Sequence, residues 1–490
     1  MARFFSMIQP MGLNSSTDQS TMWVGDIFAL ETVAVVITSA IGDRFQDTSR
    51  IQDPHEPSAP VMRDIVLTLI VFGSLPFAFK HPWIGILVWT WLGLQNPHLN
   101  VWGFALGFPF AQLVAVAILV GLVASKEPKR IPWEETPTKL IAIWLAWMFF
   151  TTLLALNPEG AWAQWNKVWR IQLFIFITMM VLTTPERIKW MVLVMVFSLG
   201  LYGVKGGIFT ILTGGSYKVW GPEGSFIGGN NEIGLALIMT LPFMRFLQLQ
   251  AKQVWMRWAW LAAMFFTFVA IIGTHSRGAL VGIAVMTLTL VLKSRNKLGL
   301  LLAILIAAPM IFNFMPDSWH ERMGTIETYE EDASAMGRIY AWTFAFNLAV
   351  ARPLTGGGFE TFRPWIYYNY VPSDYTFHDA HSIYFEVLGE HGFIGLAIFL
   401  ALGFFSLRLA GRVIREARAR GPDYAWMADL AAMIQVSLIG YASAGAFLGL
   451  SNFDFYYVII AVLVSTKVLL NRASQEESGD APLTPQRKQA

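Results

Sequence analysis

The chain has 490 residues, of which 55% are hydrophobic and only 14% charged, with a mean hydropathy of +0.50. A soluble domain carries roughly 25% charged residues, so this is the composition of an all-α polytopic membrane protein. The formal net charge of +2 says nothing in total, whereas the absence of cysteine excludes disulfides, thiolate metal sites and a cysteine nucleophile. Eight histidines occur without HExxH or HxH spacing.

Residues 1–61 form an N-terminal extension that lacks the charged start and small-residue cleavage site of a signal peptide. Its apolar run at 27–41 is short and flanked by Asp26, Glu31 and Asp43, a weak candidate for a span. Two short apolar runs follow, 64–79 and 83–95, split by Lys80, His81 and Pro82. They read as a tight pair of spans or as one span plus a re-entrant piece. Further spans are predicted at 103–124, 139–155, 168–184, 190–213, 232–249, 258–274, 279–293, 298–314, 393–410, 428–448 and 455–470. Each is near the roughly 20 residues that cross a hydrocarbon core, giving about 12 transmembrane helices. Residues 62–135 then form an N-terminal membrane region, 136–470 the membrane core, and 471–490 a disordered tail.

Lys and Arg concentrate in alternate loops: SKEPKR at 125–130, PERIK at 185–189, QAKQVWMR at 250–257, KSRNK at 293–297 and GRVIREARAR at 411–420. The positive-inside bias makes these loops cytoplasmic. The opposite set, 156–167, 214–231, Thr274–Gly278, 315–392 and Ser451–Asp454, is then external. Residues 315–392 are the one long hydrophilic interruption, expected to contain short helices and to hold the chemistry.

Positive charge on the external face needs explaining. Lys167 and Arg170 sit at the predicted outer edge of the span from 168, Arg277 in the turn GTHSRGAL, Lys205 inside a span and Lys218 in the loop after it. Ionisable residues at a membrane usually face a cavity or a partner. Arginines converging on one face suit a diphosphate, which the guanidinium fork binds bidentately; snorkelling to headgroups is the plain alternative for the lysines. His378, Asp379, His381, Glu386 and His391 crowd one segment, in which a neutral histidine can act as a base or be purely structural. His381 and Glu386 project about 140° apart on a helix and need not touch. Gly356, Gly357 and Gly358 after Arg352 permit positive φ and close backbone approach to a ligand. They match no P-loop or GxGxxG pattern. Phe359, Phe362, Trp365 and several tyrosines beside them read equally as sugar platforms or as an interfacial belt.

Taken in order, Ser276-Arg277-Gly278, Gly337-Arg338 with Trp342, Arg352-Pro353-Leu354-Thr355-Gly356 and the stretch from His381 to Gly395 resemble the O-antigen ligase and polymerase superfamily of bacterial membrane glycosyltransferases. The stretch 72–98 resembles the N-terminal region of O-glycosylation ligases of exosortase-A systems. Where the family often has Asn after its histidine, this chain has Ser382. The resemblance implies transfer of a glycan from undecaprenyl diphosphate to an acceptor hydroxyl at the periplasmic face of a bacterial inner membrane. The acceptor would be a lipid A–core sugar, a protein or a polysaccharide end, with membrane lipids as neighbours and no nucleic acid, metal or cofactor. Arg277, Arg338 and His381 match the family's essential residues. The arginines would neutralise the diphosphate leaving group and His381 would position or deprotonate the acceptor, with inversion. Lys167, Arg170, Arg352, Gly356, Gly358 and Glu386 are the further substrate-binding candidates.

A polymerase that uses lipid-linked glycan as both donor and acceptor fits the same residues. A transporter of lipid-linked sugar would need inverted repeats and ionisable groups near midplane. No clear internal repeat occurs, and the polar residues gather at one face.

Overall fold

The structure, a computed structural model, describes residues 59–101, 103–293, 297–324 and 333–477. The weak span candidate at 27–41 lies outside them, as does most of the expected extension and the end of the tail. Among the described residues every regular element is a helix. In chain order these are α1 (Ala59–Lys80), α2 (Pro82–Gln95), α3 (Phe110–Ala124), α4 (Thr136–Leu153), α5 (Pro158–Val181), α6 (Pro185–Leu212), α7 (Asn230–Gln250) and α8 (Val254–Gly273). Then come α9 (Arg277–Lys293), α10 (Lys297–Phe314), α11 (Asp317–Gly324), α12 (Ala333–Ala351), α13 (Pro364–Tyr367), α14 (Ile383–Arg420), α15 (Ala425–Ala444) and α16 (Asp454–Glu477).

Eight described helices are long and apolar enough to cross a membrane, where about 12 spans were expected. The difference lies in helices such as α3, apolar but only 15 residues long, and α9, with 17. The core of the bundle is α7 and α16, 78% of whose apolar stretches are buried, against 28% for α1 and 0% for α10. The runs 64–79 and 83–95 become α1 and α2, which meet at the single non-helical residue His81 and pack on each other and on α3.

Several boundaries move for identifiable reasons. The expected external loop 156–167 is mostly helix, because Asn157 caps α5 by accepting from the Gly160 amide (3.4 Å) and Pro158 occupies its first position. Lys167 and Arg170 therefore lie well inside α5, not at its outer edge. The stretch 103–109 is irregular and α3 begins only at Phe110. Residues 471–477, expected to be disordered, continue α16. The interruption 315–392 holds α11, the 19-residue α12, α13 and the first turns of α14.

α14 is broken at Gly392, whose φ of 69° and ψ of −172° are not helical. Residue 393, the predicted start of a span, is where the straight part begins. The break is sealed by the segment after α12: Phe393 N–H donates to Pro353 O (3.0 Å), Gly357 N–H to Gly389 O (2.8 Å) and Gly358 N–H to Glu390 O (2.7 Å).

Side-chain pairs gather the Lys/Arg-rich segments at one end of the bundle. Arg187 pairs with Glu127 (2.7 Å), Arg412 with Glu135 (3.3 Å) and Lys467 with Glu416. The segments 125–135, 185–189, 411–420 and 467–474 thus share one end, opposite the start of α14.

Candidate active site at the start of α14

His381 stands two residues before α14 with a φ of 39°, a left-handed conformation that is sterically costly for a residue with a Cβ. The surrounding contacts hold it there. Trp342 Nε1–H donates to the carbonyl of Ala380 (2.9 Å), and its indole stacks on Phe385 with ring centres 4.9 Å apart and planes 8° apart. The Ala380 amide donates to Asp379 Oδ1 (2.8 Å). Ser382 begins the helix and its carbonyl accepts from Glu386 N–H (2.8 Å).

These contacts account for the spacing in Gly337-Arg338-x-x-x-Trp342. Arg338 and Trp342 are four apart on α12 and share a face, so the helix that braces residue 380 also brings a guanidinium to the histidine. Gly337 lets the His378 ring lie against α12: a Cβ there would sit 2.3 Å from His378 Cδ2.

Burial pushes the His381 imidazole below the usual histidine range. Asp379 opposes that shift, Arg338 adds to it, Glu232 opposes it and His378 adds to it. The histidine is thus neutral near pH 7, with carboxylates and a guanidinium both within electrostatic reach. That is the state a general base requires.

Glu232 was not foreseen from the sequence. It lies in the first turn of α7, with its carboxylate back against Gly229. Two residues earlier, Asn230 Nδ2–H donates to Thr274 O (2.8 Å), tying the start of α7 to the turn before Arg277. The signal available was an acidic residue at the start of a span whose loop, by charge alternation, shares the face of the Thr274–Gly278 turn.

Arg277 opens α9, which Ser276 caps by accepting from the Ala279 amide (3.1 Å). The short turn Gly445–Phe447 links this end of α9 to α14. A Cβ on Gly278 would lie 2.8 Å from Phe447, and one on Gly445 would lie 2.7 Å from Ile383. A further basic group adjoins the Thr274–Ser276 turn. Arg322 Nε–H donates to His275 O (2.9 Å), and His275 Nε2–H donates to Gly215 O (2.9 Å). Burial lowers the His275 pKa, and nearby Lys218 and Arg322 reinforce this against the Gly215 hydrogen bond.

The other candidates have different surroundings. Glu386 Oε2 accepts from Ser451 N–H (3.1 Å), which ties the first turn of α14 to the segment before α16. Arg352 donates to Leu154 O (2.6 Å), capping the end of α4. Gly356 and Gly358, both at positive φ, sit in the seal on the α14 break. A Cβ on Gly356 would be 2.5 Å from Gly389 O, and one on Gly358 would be 2.4 Å from Ala155 Cβ. Close backbone approach does occur, toward the chain's own helix rather than toward open space. Lys167 and Arg170 are exposed on α5, Arg170 donating to Asn166 Oδ1 (2.9 Å) and lying 5.9 Å from the Trp169 ring centre. The structure gives neither a contact with the His381 cluster. Next to the α14 break, His391 is fully buried, with Nδ1 2.7 Å from Thr151 Oγ1 and its ring edge-on to Trp144 and Phe359.

The arrangement of a multi-pass helical bundle with arginines, carboxylates and a neutral histidine at one end defines a membrane protein with a polar site at its surface. Residues 262–400 match the family model described as O-antigen ligase, which supports a ligase- or polymerase-type membrane glycosyltransferase. Residues 62–250 match a family of unknown function, DUF5935. No curated protein matches the chain. The two matched segments meet near the α7–α8 turn. Glu232 belongs to the first and His381 to the second, so the site draws on both.

Proposed function

We propose that the protein transfers a glycan from undecaprenyl diphosphate to an acceptor hydroxyl at the periplasmic face of a bacterial inner membrane. The observation that carries this reading is the convergence of Arg338, Asp379 and Glu232 on a half-buried, neutral His381 within the segment matching the O-antigen ligase family.

The chemistry follows from the groups present. Departure of the lipid diphosphate builds negative charge on its phosphate oxygens. Arg338 and Arg277 supply fixed positive charge and planar forks that match those oxygens. His381 takes the proton of the acceptor hydroxyl as the oxygen attacks the anomeric carbon from the side opposite the leaving diphosphate. The bond to the diphosphate breaks as the new glycosidic bond forms, and the anomeric configuration inverts. Asp379 and Glu232 stabilise the imidazolium that results.

The Lys/Arg-rich segments at the opposite end of the bundle support the sidedness.

The test is incubation of the purified protein with undecaprenyl-diphosphate glycan in EDTA, offering a lipid A–core sugar, a Ser/Thr peptide or the lipid-linked glycan itself as acceptor. Product on the first two supports a ligase. Chain extension on the third alone replaces it with a polymerase. No product from any of the three, while the lipid-linked glycan crosses the bilayer of reconstituted vesicles, overturns the transfer reading.

A further inference from the structure

The end of α14 remote from His381 carries a groove of about 500 Å³ that the transfer reading leaves unused. Its walls are Phe404, Leu407, Arg408, Arg412 and Arg415 of α14 and Gln435 of α15. Gln435 is fixed from both sides, donating to Leu407 O (2.9 Å) and accepting from Lys293 Nζ. The groove is therefore a built feature of the α14–α15 contact and not a gap between loose side chains.

Its polarity changes along the helix axis. Phe404 and Leu407 come first, then Arg408, Arg412 and Arg415, which share one face and are exposed. From Phe393, where the straight part of α14 begins, Arg408 lies roughly 23 Å along the axis and Arg415 roughly 33 Å. A hydrocarbon core is about 30 Å thick, so Phe404, Leu407 and the backbone of Arg408 fall within the bilayer and Arg415 just beyond it, while the long Arg408 side chain snorkels toward the same surface. An acyl chain followed by a phosphate has the same order of polarity. Of these three arginines only Arg412 has a carboxylate partner among the described residues, Glu135 at 3.3 Å. Arg408 instead lies over the Phe404 ring, 5.5 Å from its centre. Two of the three guanidinium groups are left to meet an anion.

We propose that this groove is a binding site for an anionic phospholipid, with the phosphates held by Arg408 and Arg415 and an acyl chain lying along Phe404 and Leu407. A lipid with two phosphates on one glycerol headgroup matches the two guanidinium groups best. Basic pockets between helices at a membrane surface hold such headgroups through short, salt-sensitive contacts. The proposal is independent of the reaction at the other end of the bundle.

Native mass spectrometry of the full-length protein in detergent tests it, with cardiolipin, phosphatidylglycerol or phosphatidylcholine added and inorganic phosphate as a separate competitor. Cardiolipin is expected to be retained in preference to phosphatidylcholine. Each arginine near an anionic headgroup is worth about fivefold, so R408Q/R415Q should weaken retention roughly 30-fold. R130Q, which removes an exposed arginine outside the groove, should change nothing. If the double variant does not fold, the single variants R408Q and R415Q carry the test at about fivefold each. Equal retention of phosphatidylcholine, or undiminished cardiolipin in the folded variants, overturns the proposal. Displacement of cardiolipin by millimolar inorganic phosphate also overturns it, in favour of a site for a soluble anion.

Discussion

Replacing Gly337 by alanine separates the stability of α12 from the placement of His381. The added methyl would lie 2.3 Å from His378 Cδ2 and 2.4 Å from His378 Nε2. Carbon atoms in good contact stand about 3.5–4.0 Å apart, so the ring must retreat by about 1.2 Å or more. His378 is three residues from His381, and the segment between them is pinned at Ala380 by Trp342. A displacement of about 1 Å at a reacting group can cost about 100-fold in rate. Alanine is itself favoured over glycine within a helix by up to about 1 kcal/mol, so α12 should lose no stability. Transfer by G337A in proteoliposomes should fall about 100-fold, while the melting temperature in detergent stays level or rises. The double variant G337A/H378A relieves the clash and should recover most of the rate. Wild-type transfer by G337A would refute this account of the glycine, as would a double variant no better than the single.

Because burial holds His381 below the ordinary histidine value of about 6.5, its neutral form persists into mild acid. The rate should fall only as pH drops below about 6.5, and E232Q, which removes a carboxylate that raises this pKa, should move the acid limb lower still; a pH–rate profile with its limb above 6.5 contradicts this. H381A should lose about 100-fold or more in turnover with donor binding unchanged, and a ligand titration alongside the rate assay separates the two. R277K and R338K should each lose at least about 10-fold, since an ammonium cannot reproduce the guanidinium fork; full activity in a lysine variant removes that arginine from the diphosphate site. G358A places a Cβ 2.4 Å from Ala155 Cβ at a φ of 79°, and should destabilise the protein by about 2 kcal/mol or more in thermal melting.

How much of this could be read from the sequence depends on how local each signal is. Most helices were legible as apolar runs, because a bilayer imposes one length on every span. The start of α5 was missed although Asn157-Pro158 announces it, since the apolar run begins a full turn or more later and hydropathy outweighed the cap. The motif Gly337-Arg338-x-x-x-Trp342 was visible as a pattern, but its meaning is three-dimensional: the indole braces residue 380 and the guanidinium follows from being one turn away. The glycines at 356 and 358 show the opposite limit. Positive φ and close approach were foreseeable, yet only the fold reveals that Gly356 approaches α14 and Gly358 the end of α4. Glu232 is one of 33 acidic residues and lies about 150 positions from His381, and no local rule selects it.

The site's dependence on both matched segments has a consequence for how such proteins can be recombined. A chimera that takes residues 262–400 from one parent and the preceding helices from another would keep Arg277, Arg338 and His381, yet could lose the carboxylate at 232 and the Asn230 anchor on the turn before Arg277. Under the proposed transfer reaction, the segment of unknown function then helps to build the site and is not an interchangeable membrane anchor.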